Sequence, residues 1–216
     1  APEGIFYFEN AYVVDTMEGG QFDQIYHEHM SYLGVIPVQK YLEAWGMDLI
    51  HVERRPVHGG SMLFYATPTA AHRTPMLSVQ KALVQEHALF EAGMVDRFVR
   101  RTERCIVEIR SMVEALTRND RVVDLYGATA KSSTLLNVCG IGGMIRHAVD
   151  GSQLKCGKYL PGSRTKILSK EEWRKDPGDY ALLGAWNYEA EILAEESRYR
   201  ENGGKFIVPV PEPRVV

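Results

Sequence analysis

At 216 residues, with 45% hydrophobic and 25% charged side chains, the chain has the composition of a folded globular protein rather than a disordered one. A formal charge of −3 gives no electrostatic attraction for nucleic acid or an anionic membrane, and no run reaches the ~20 apolar residues of a membrane helix. The opening APEGIFYFEN lacks the basic and apolar regions of a signal peptide, and three widely spaced cysteines, Cys105, Cys139 and Cys156, fit reduced thiols and a cytoplasmic location better than a disulfide framework.

In chain order, GIFYFE reads as a strand followed by a loop. FDQIYHEHMSYL, residues 22–33, then gathers Tyr26, His27, Glu28, His29 and Tyr32. PVQKYLEAWGM has helical spacing, with Val38, Leu42 and Trp45 at i, i+4, i+7 and Pro37 suited to a first turn. DLIHVER and SMLFYAT read as strands of a hairpin whose longer loop is RPVHGG. Pro68 and Pro75 flank a turn-rich connector, and residues 76–117 read as two helices. In the second of these, Val95, Phe98, Val99, Thr102, Cys105, Ile106, Ile109, Met112, Val113 and Leu116 share one face. Arg97, Arg100, Arg101, Arg104 and Arg110 lie mostly opposite, interspersed with Glu103 and Glu108, as on a solvated surface.

From Arg121 the rhythm changes. RVVDLYG reads as a buried strand, ATAKSSTLLNVC as a turn and helix, MIRHAVD as a second strand and KYLPGSRTKIL as a loop. Ser169 and Glu172 form a capping-box pattern that opens the short helix KEEWRK. DYALLGAW is a third strand, YEAEILAEESRYREN a helix stopping at Gly203 and Gly204, and KFIVPV a fourth strand. Strands alternating with helices imply parallel pairing and right-handed crossovers. The expected fold class is therefore α/β, a Rossmann-like parallel sheet with flanking helices, plus a mixed α+β N-terminal part. Three stretches follow: 1–21, then 22–120 with the YHEH segment, hairpin and helical pair, then 121–216 as the α/β unit.

Several stretches carry possible chemistry. If YHEH is extended, His27 and His29 share a face and could ligate zinc, but a third ligand such as His51 or His58 is not set by any spacing, and H-E-x-x-H is absent. A neutral histidine equally suits proton abstraction, with a carboxylate and a phenol nearby to orient it or hold an enolate oxygen. A polar edge strand with ordinary surface histidines is the third reading. VHGGS resembles an esterase oxyanion loop, yet no G-x-S-x-G elbow occurs; Gly59 and Gly60 either let a ligand approach the backbone or make a plain turn. Gly127 directly after a strand could open a phosphate cradle, with Asp150 where a ribose-binding acid often lies. G-x-G-x-x-G is missing, however, and GSQLKCGKY is not a P-loop. A non-catalytic nucleotide-binding module would rest on Gly127, Lys131 and Asp150; a metal-dependent hydrolase would rest on His27 and His29.

Taken together, FDQIYHEHMSYL, VHGGSM, YGATAKSSTLLN, KCGKYLPGSRTKI, LLGAWNYEAEI and GGKFIVPVPE resemble, in this order, the C-terminal domain of the sugar C-methyltransferases. These bacterial enzymes of deoxysugar biosynthesis methylate carbon 3 of nucleotide-linked 4-keto sugars with S-adenosylmethionine. The resemblance runs through nearly all the chain from about Phe22. It implies that residues 1–21 are the end of an upstream methyltransferase domain, and that this domain, outside the chain, mainly binds S-adenosylmethionine. By the same resemblance the chain's partners are a nucleotide-linked sugar and that upstream domain, and the isolated chain is inactive. It also implies His29 as the catalytic base with Glu28 and Tyr26 beside it, substrate binding by His27, His58, Gly59, Gly60, Ser61 and Lys131, and no metal. His29 and Glu28 would face opposite ways in a strand, so the resemblance favours a loop or helical turn there. Two departures bear on the sugar or its carrier. Met62, Leu63 and Phe64 stand where the family has an Arg, and GSQLKCGK follows Asp150 where D-R-N-P-x-K-x-G is usual.

Overall fold

The computed structural model describes residues 3–216; Ala1 and Pro2 lie outside the described residues. The chain forms two compact units, one from residues 3–21 and His29–Arg100, the other from Phe22–Glu28 and Arg101–Val216.

In the first unit, β1 (Phe6–Ala11) leads to α1 (Val13–Glu18) and α2 (Val35–Ala44), then to β2 (Met47–Arg55), β3 (Ser61–Pro68) and α3 (Leu77–Glu91). The expected hairpin is β2–β3, and β1 adds on the far side of β3 to give an antiparallel sheet of order β1-β3-β2. Alternation on β3 puts Met62, Phe64 and Ala66 into the core, where Tyr12, Val14, Val35, Val38, Leu42, Leu49, Val52 and Val79 meet them. The stretch read as a loop after the first strand contains α1, which buries Val13, Val14 and Thr16. The next helix starts at Val35 rather than Pro37. Proline is tolerated there because N–H groups of a first turn have no intrahelical partner. Its buried face is Val35, Val38 and Leu42, while Trp45 lies past the helix end, exposed and near Tyr41.

A long helix, α4 (Met94–Arg118), begins in the first unit and continues in the second. Cys105, Ile109 and Val113 of its expected apolar face are buried, but Val95 and Val99 are exposed. Arg110 and Arg118 pair with Glu114 at i,i+4 spacing on the outer side, as charges on a solvated helix face do.

The second unit follows the expected α/β alternation: β4 (Val123–Tyr126), α5 (Ala130–Cys139), β5 (Ala148–Val149), β6 (Ile167–Leu168), α6 (Lys170–Trp173), β7 (Tyr180–Leu183), α7 (Glu189–Glu195), α8 (Ser197–Glu201), β8 (Lys205–Val208) and β9 (Arg214–Val215). The sheet runs β6-β5-β4-β7-β8-β9, parallel except for β9. All four residues of β4 are buried, as are three of four in β7 and β8, the pattern of strands covered on both faces. Two strands escaped the sequence reading: β6 lies inside the KYLPGSRTKIL loop, and β9 lies beyond KFIVPV. The single helix read after β7 is a 3-10 turn (Trp186–Tyr188) followed by α7 and α8, separated at Glu196.

The order of strands places a topological switch point at the carboxyl ends of β4 and β7. At the opposite end, fully buried Asp124 accepts from Arg146 Nε and Nη2 (3.1 and 2.9 Å), His147 N (3.2 Å), Trp173 Nε1 (2.8 Å) and Gly178 N (2.8 Å). A buried carboxylate so completely bonded ties β4 to the loops before β5 and β7. Among the described residues, no helix is long and apolar enough to cross a membrane.

Candidate functional site

The YHEH stretch is not a strand. Phe22–Gln24 form a 3-10 turn, Tyr26 a bend, and His27 and Glu28 a turn. The pleat that would set His27 and His29 on one face is therefore missing, and the edge-strand reading fails with it. His27 and Glu28 are exposed, whereas Tyr26 and His29 are half-buried. Tyr26, His27 and Glu28 belong to the second unit and His29 to the first, where its ring meets that of Tyr32 edge-on at 6.5 Å and 78°. Among the described residues, no three His, Cys, Asp or Glu side chains are grouped so that they could hold a metal ion.

Residues on either side of this turn are hydrogen-bonded, each within its own unit. Gln21 Nε2 donates to the Gly59 carbonyl (2.6 Å) in the first unit. Two residues on, Asp23 is fully buried in the second unit, and its Oδ2 accepts from Trp186 Nε1 at 2.6 Å. Lys131, from α5, lies 4.7 Å over the Trp186 ring and donates to Asn187 Oδ1 (2.8 Å). Burial depresses the Lys131 ammonium and pushes the Asp23 carboxyl up to about 6, against the opposing pull of the Trp186 bond and of Lys131. Thr134 Oγ1 reaches the Ile25 carbonyl at 3.5 Å.

On the far side, Val13 N donates to the Leu33 carbonyl (3.0 Å), and Gly34 is the N-cap of α2. No side chain of Gly34 can cap that helix, and Glu86 of α3 does so instead. Its carboxylate, fully buried, accepts from Val35 N (2.5 Å) and Ile36 N (3.0 Å). A Cβ at residue 34 would lie 2.9 Å from Glu86 Oε2, which explains the glycine.

His58, Gly59, Gly60 and Ser61 belong to the first unit. His58, Gly59 and Gly60 all have left-handed φ (54°, 90° and 119°). A Cβ on Gly59 would lie 2.7 Å from Gln21 Oε1, and one on Gly60 would collide with Asp15, whose carboxylate pairs with Arg54. The close approach expected at these glycines is thus made by the protein's own Gln21 and Asp15. Ser61 is buried, with Oγ 3.4 Å from the Val57 carbonyl.

The switch point of the sheet opens a cleft of about 280 Å³ lined by Tyr126, Gly127, Thr129, Asp150, Lys170 and Tyr188 among others. Its phosphate cradle is satisfied from within. Gly127 N donates to the Val149 carbonyl (2.8 Å), Ala128 N to Asp150 Oδ2 (3.1 Å) and Thr129 N to Ser132 Oγ (3.2 Å), while Ser132 N returns to Thr129 Oγ1 (3.2 Å). Asp150 also accepts from Ser152 N and Lys155 Nζ, both at 2.9 Å. The acid that would meet a ribose and the amides that would meet a phosphate hold one another, so a nucleotide or the adenosine of S-adenosylmethionine would have to displace them. These residues do not fit either group.

Asp23 and Trp186 were missed in the sequence. They are 163 residues apart, and no motif spacing pairs an acid with a distant indole.

The description "C-methyltransferase C-terminal domain" matches residues 56–211. Along its whole length the chain is 41% identical to the C-methyltransferase NovU of Streptomyces niveus, and it spans 52% of that protein. A match over most of the chain, together with identity at this level across all of it, decides the relationship: the chain belongs to the C-methyltransferase C-terminal domain family.

Proposed function

We propose that the chain is the substrate-side part of an S-adenosylmethionine-dependent C-methyltransferase acting on a nucleotide-linked keto-sugar, with the methyl donor held by an upstream domain outside this chain. The observation that carries the reading is the YHEH turn. Asp23 and Trp186 tie it down within the second unit, yet it presents His27 and Glu28 to solvent; the next residue, His29, is half-buried in the first unit. Such a turn can offer a base to a bound ligand without rearranging.

His29 is the general base. It takes the proton from the carbon α to the ketone, and the electron pair left behind is delocalised onto the ketone oxygen as an enolate. Tyr26 supplies a hydroxyl donor for that oxygen, and Glu28 an acceptor that orients the imidazole. The donor, when bound, supplies an electrophilic methyl group to the enolate carbon. His27, His58, Gly59, Gly60, Ser61 and Lys131 are assigned to the sugar and its nucleotide carrier. The filled cradle at Gly127 and Asp150 weighs against the rival reading of a nucleotide-binding module.

Solvent deuterium exchange at the α carbon of a thymidine-diphosphate 4-keto sugar isolates proton abstraction from methyl transfer. In the full-length enzyme, His29→Ala should slow both exchange and methylation by about 10²–10⁴-fold. Exchange at the wild-type rate in His29→Ala would remove the base from this residue. The present chain alone should transfer no methyl group.

A further inference from the structure

We propose that Asp23 is a positioning residue for the YHEH turn: its buried carboxylate, bonded to the Trp186 indole and facing Lys131, fixes the turn that carries Tyr26, His27 and Glu28 against the Rossmann-like unit. This rests on the catalytic reading given above and adds to it a group that touches neither substrate nor donor.

The geometry carries it. Asp23 is fully buried only three residues before Tyr26, between Phe22 (3% exposed) and Gln24 (3% exposed). Its Oδ2 makes the 2.6 Å bond to Trp186 Nε1, whereas Oδ1 is buried without a hydrogen-bond partner. A carboxylate half unpaired inside a protein is costly and is not what packing alone would retain, since an apolar side chain of similar size would fill the space. What an apolar residue could not do is hold the indole and attract an ammonium at the same time.

The titratable groups coupled electrostatically to this carboxylate are Lys131 and Cys139 from α5 and Cys105 from α4, beside the Trp186 indole and the backbone amides of Asp23 and Gln24. Both thiols are pushed up to about 12 and stay neutral, so Lys131 supplies the facing charge. Lys131 is itself aligned by Asn187 and the Trp186 ring, next to the same indole that Asp23 holds. Asp23, Trp186 and Lys131 therefore act as one corner, with the ionised carboxylate as the member that a proton can switch. Protonation would leave the indole bond in place and remove the attraction to Lys131. The turn would then be held by the indole bond, by packing and by the weaker Thr134–Ile25 contact, without the pull of Lys131.

Two readouts test this. In this chain, the Trp186 indole N–H resonance, identified by its loss in Trp186→Phe, should titrate with a midpoint near pH 6 and should not titrate in Asp23→Asn. In the full-length enzyme, with a thymidine-diphosphate keto-sugar and S-adenosylmethionine, Asp23→Asn should lower kcat about 10–100-fold and leave KM within about threefold. The acid limb of its kcat/KM profile should be shallower by one proton. Asp23→Asn keeps an acceptor for the indole, so loss of fold is not the expected cause, and the unchanged KM reports that the sugar still binds. A Trp186 resonance that does not move between about pH 4.5 and 8, or an Asp23→Asn enzyme with wild-type kcat and pH profile, overturns the proposal. If His29→Ala also retains the wild-type rate, the catalytic reading falls as well; if only His29→Ala is impaired, the proposal falls alone.

Discussion

Glu86 allows the most direct energetic test of how the C-terminal flank of the YHEH segment is held. Its carboxylate accepts from Val35 N and Ile36 N at the start of α2, and the Tyr12 hydroxyl bonds to it as well. Glu86, Val35 and Tyr12 are each at most 2% exposed, so water cannot replace what is lost there; Ile36 is only partly buried and can recover a solvent partner. Glu86→Ala leaves a buried amide and a buried phenol unpaired at about 1–3 kcal/mol each. Losing the negative charge at a helix N-terminus adds about 0.3–1 kcal/mol. The sum is about 2–7 kcal/mol. Glu86→Gln keeps one acceptor oxygen but turns an N–H donor toward the second amide, so about half that loss is expected. Hydrogen exchange is the suitable assay because it reports on the first unit by itself. Glu86→Ala should accelerate exchange at Val35, Ile36 and the sheet amides of Val52 and Phe64 by about 10²–10³-fold, with Glu86→Gln between it and wild type. Sheet amides that exchange within about threefold of wild type in Glu86→Ala would show that the cap is not a structural support of this unit.

Two further predictions concern ionisation. Asp23 has its carboxyl pushed up from 3.8 to about 6, so the folded state binds the proton more tightly than the unfolded state. Its contribution to stability is therefore unfavourable above about pH 6, by about 3 kcal/mol, and this penalty is relieved as pH falls from about 6 toward 3.8. Urea unfolding should show wild type gaining on Asp23→Asn across that window, and a difference independent of pH would contradict the burial argument. Cys105 and Cys139 are buried with their thiols pushed up to about 12, while Cys156 is partly exposed. A thiol reagent should thus label Cys156 first in the native chain and the other two only on unfolding; early native labelling of Cys105 or Cys139, located by peptide mapping, would refute this.

How much of this was legible in the sequence depended on how locally each feature is determined. The β4 run and the Ser169–Glu172 box could be read because their determinants sit within a few residues. The box is formed by Ser169 N to Glu172 Oε2 at 2.9 Å and Glu172 N to Ser169 Oγ at 3.2 Å. The two-residue strands β6 and β9 are shorter than any hydrophobic period and exist only through their neighbours. Trp45 completed a helical spacing on paper, but the helix ends at Ala44 and the side chain turns out to solvent. The choice between strand and turn at YHEH could not be made locally, because the deciding bonds join Gln21 to Gly59 and Asp23 to Trp186 across 38 and 163 residues. Resemblance found the segment; it did not reveal what fixes it. Asp150 shows the reverse case. Its place after the second strand of the α/β unit suggested a ribose partner, and the same placement is what lets it bond Ala128 N, 22 residues away.

The restraint of residues 22–28 within the second unit has a thermodynamic consequence for ligand binding. Fixing one residue's backbone costs roughly 1–2 kcal/mol in conformational entropy, so seven mobile residues immobilised at the moment of association could cancel much of the gain from a tight complex. Here the Asp23–Trp186 bond and the Thr134–Ile25 contact order the stretch within the second unit before any ligand arrives. In the reading proposed above, a ligand at Tyr26, His27 or Glu28 meets a backbone ordered beforehand, and more of its contact energy remains for affinity and orientation.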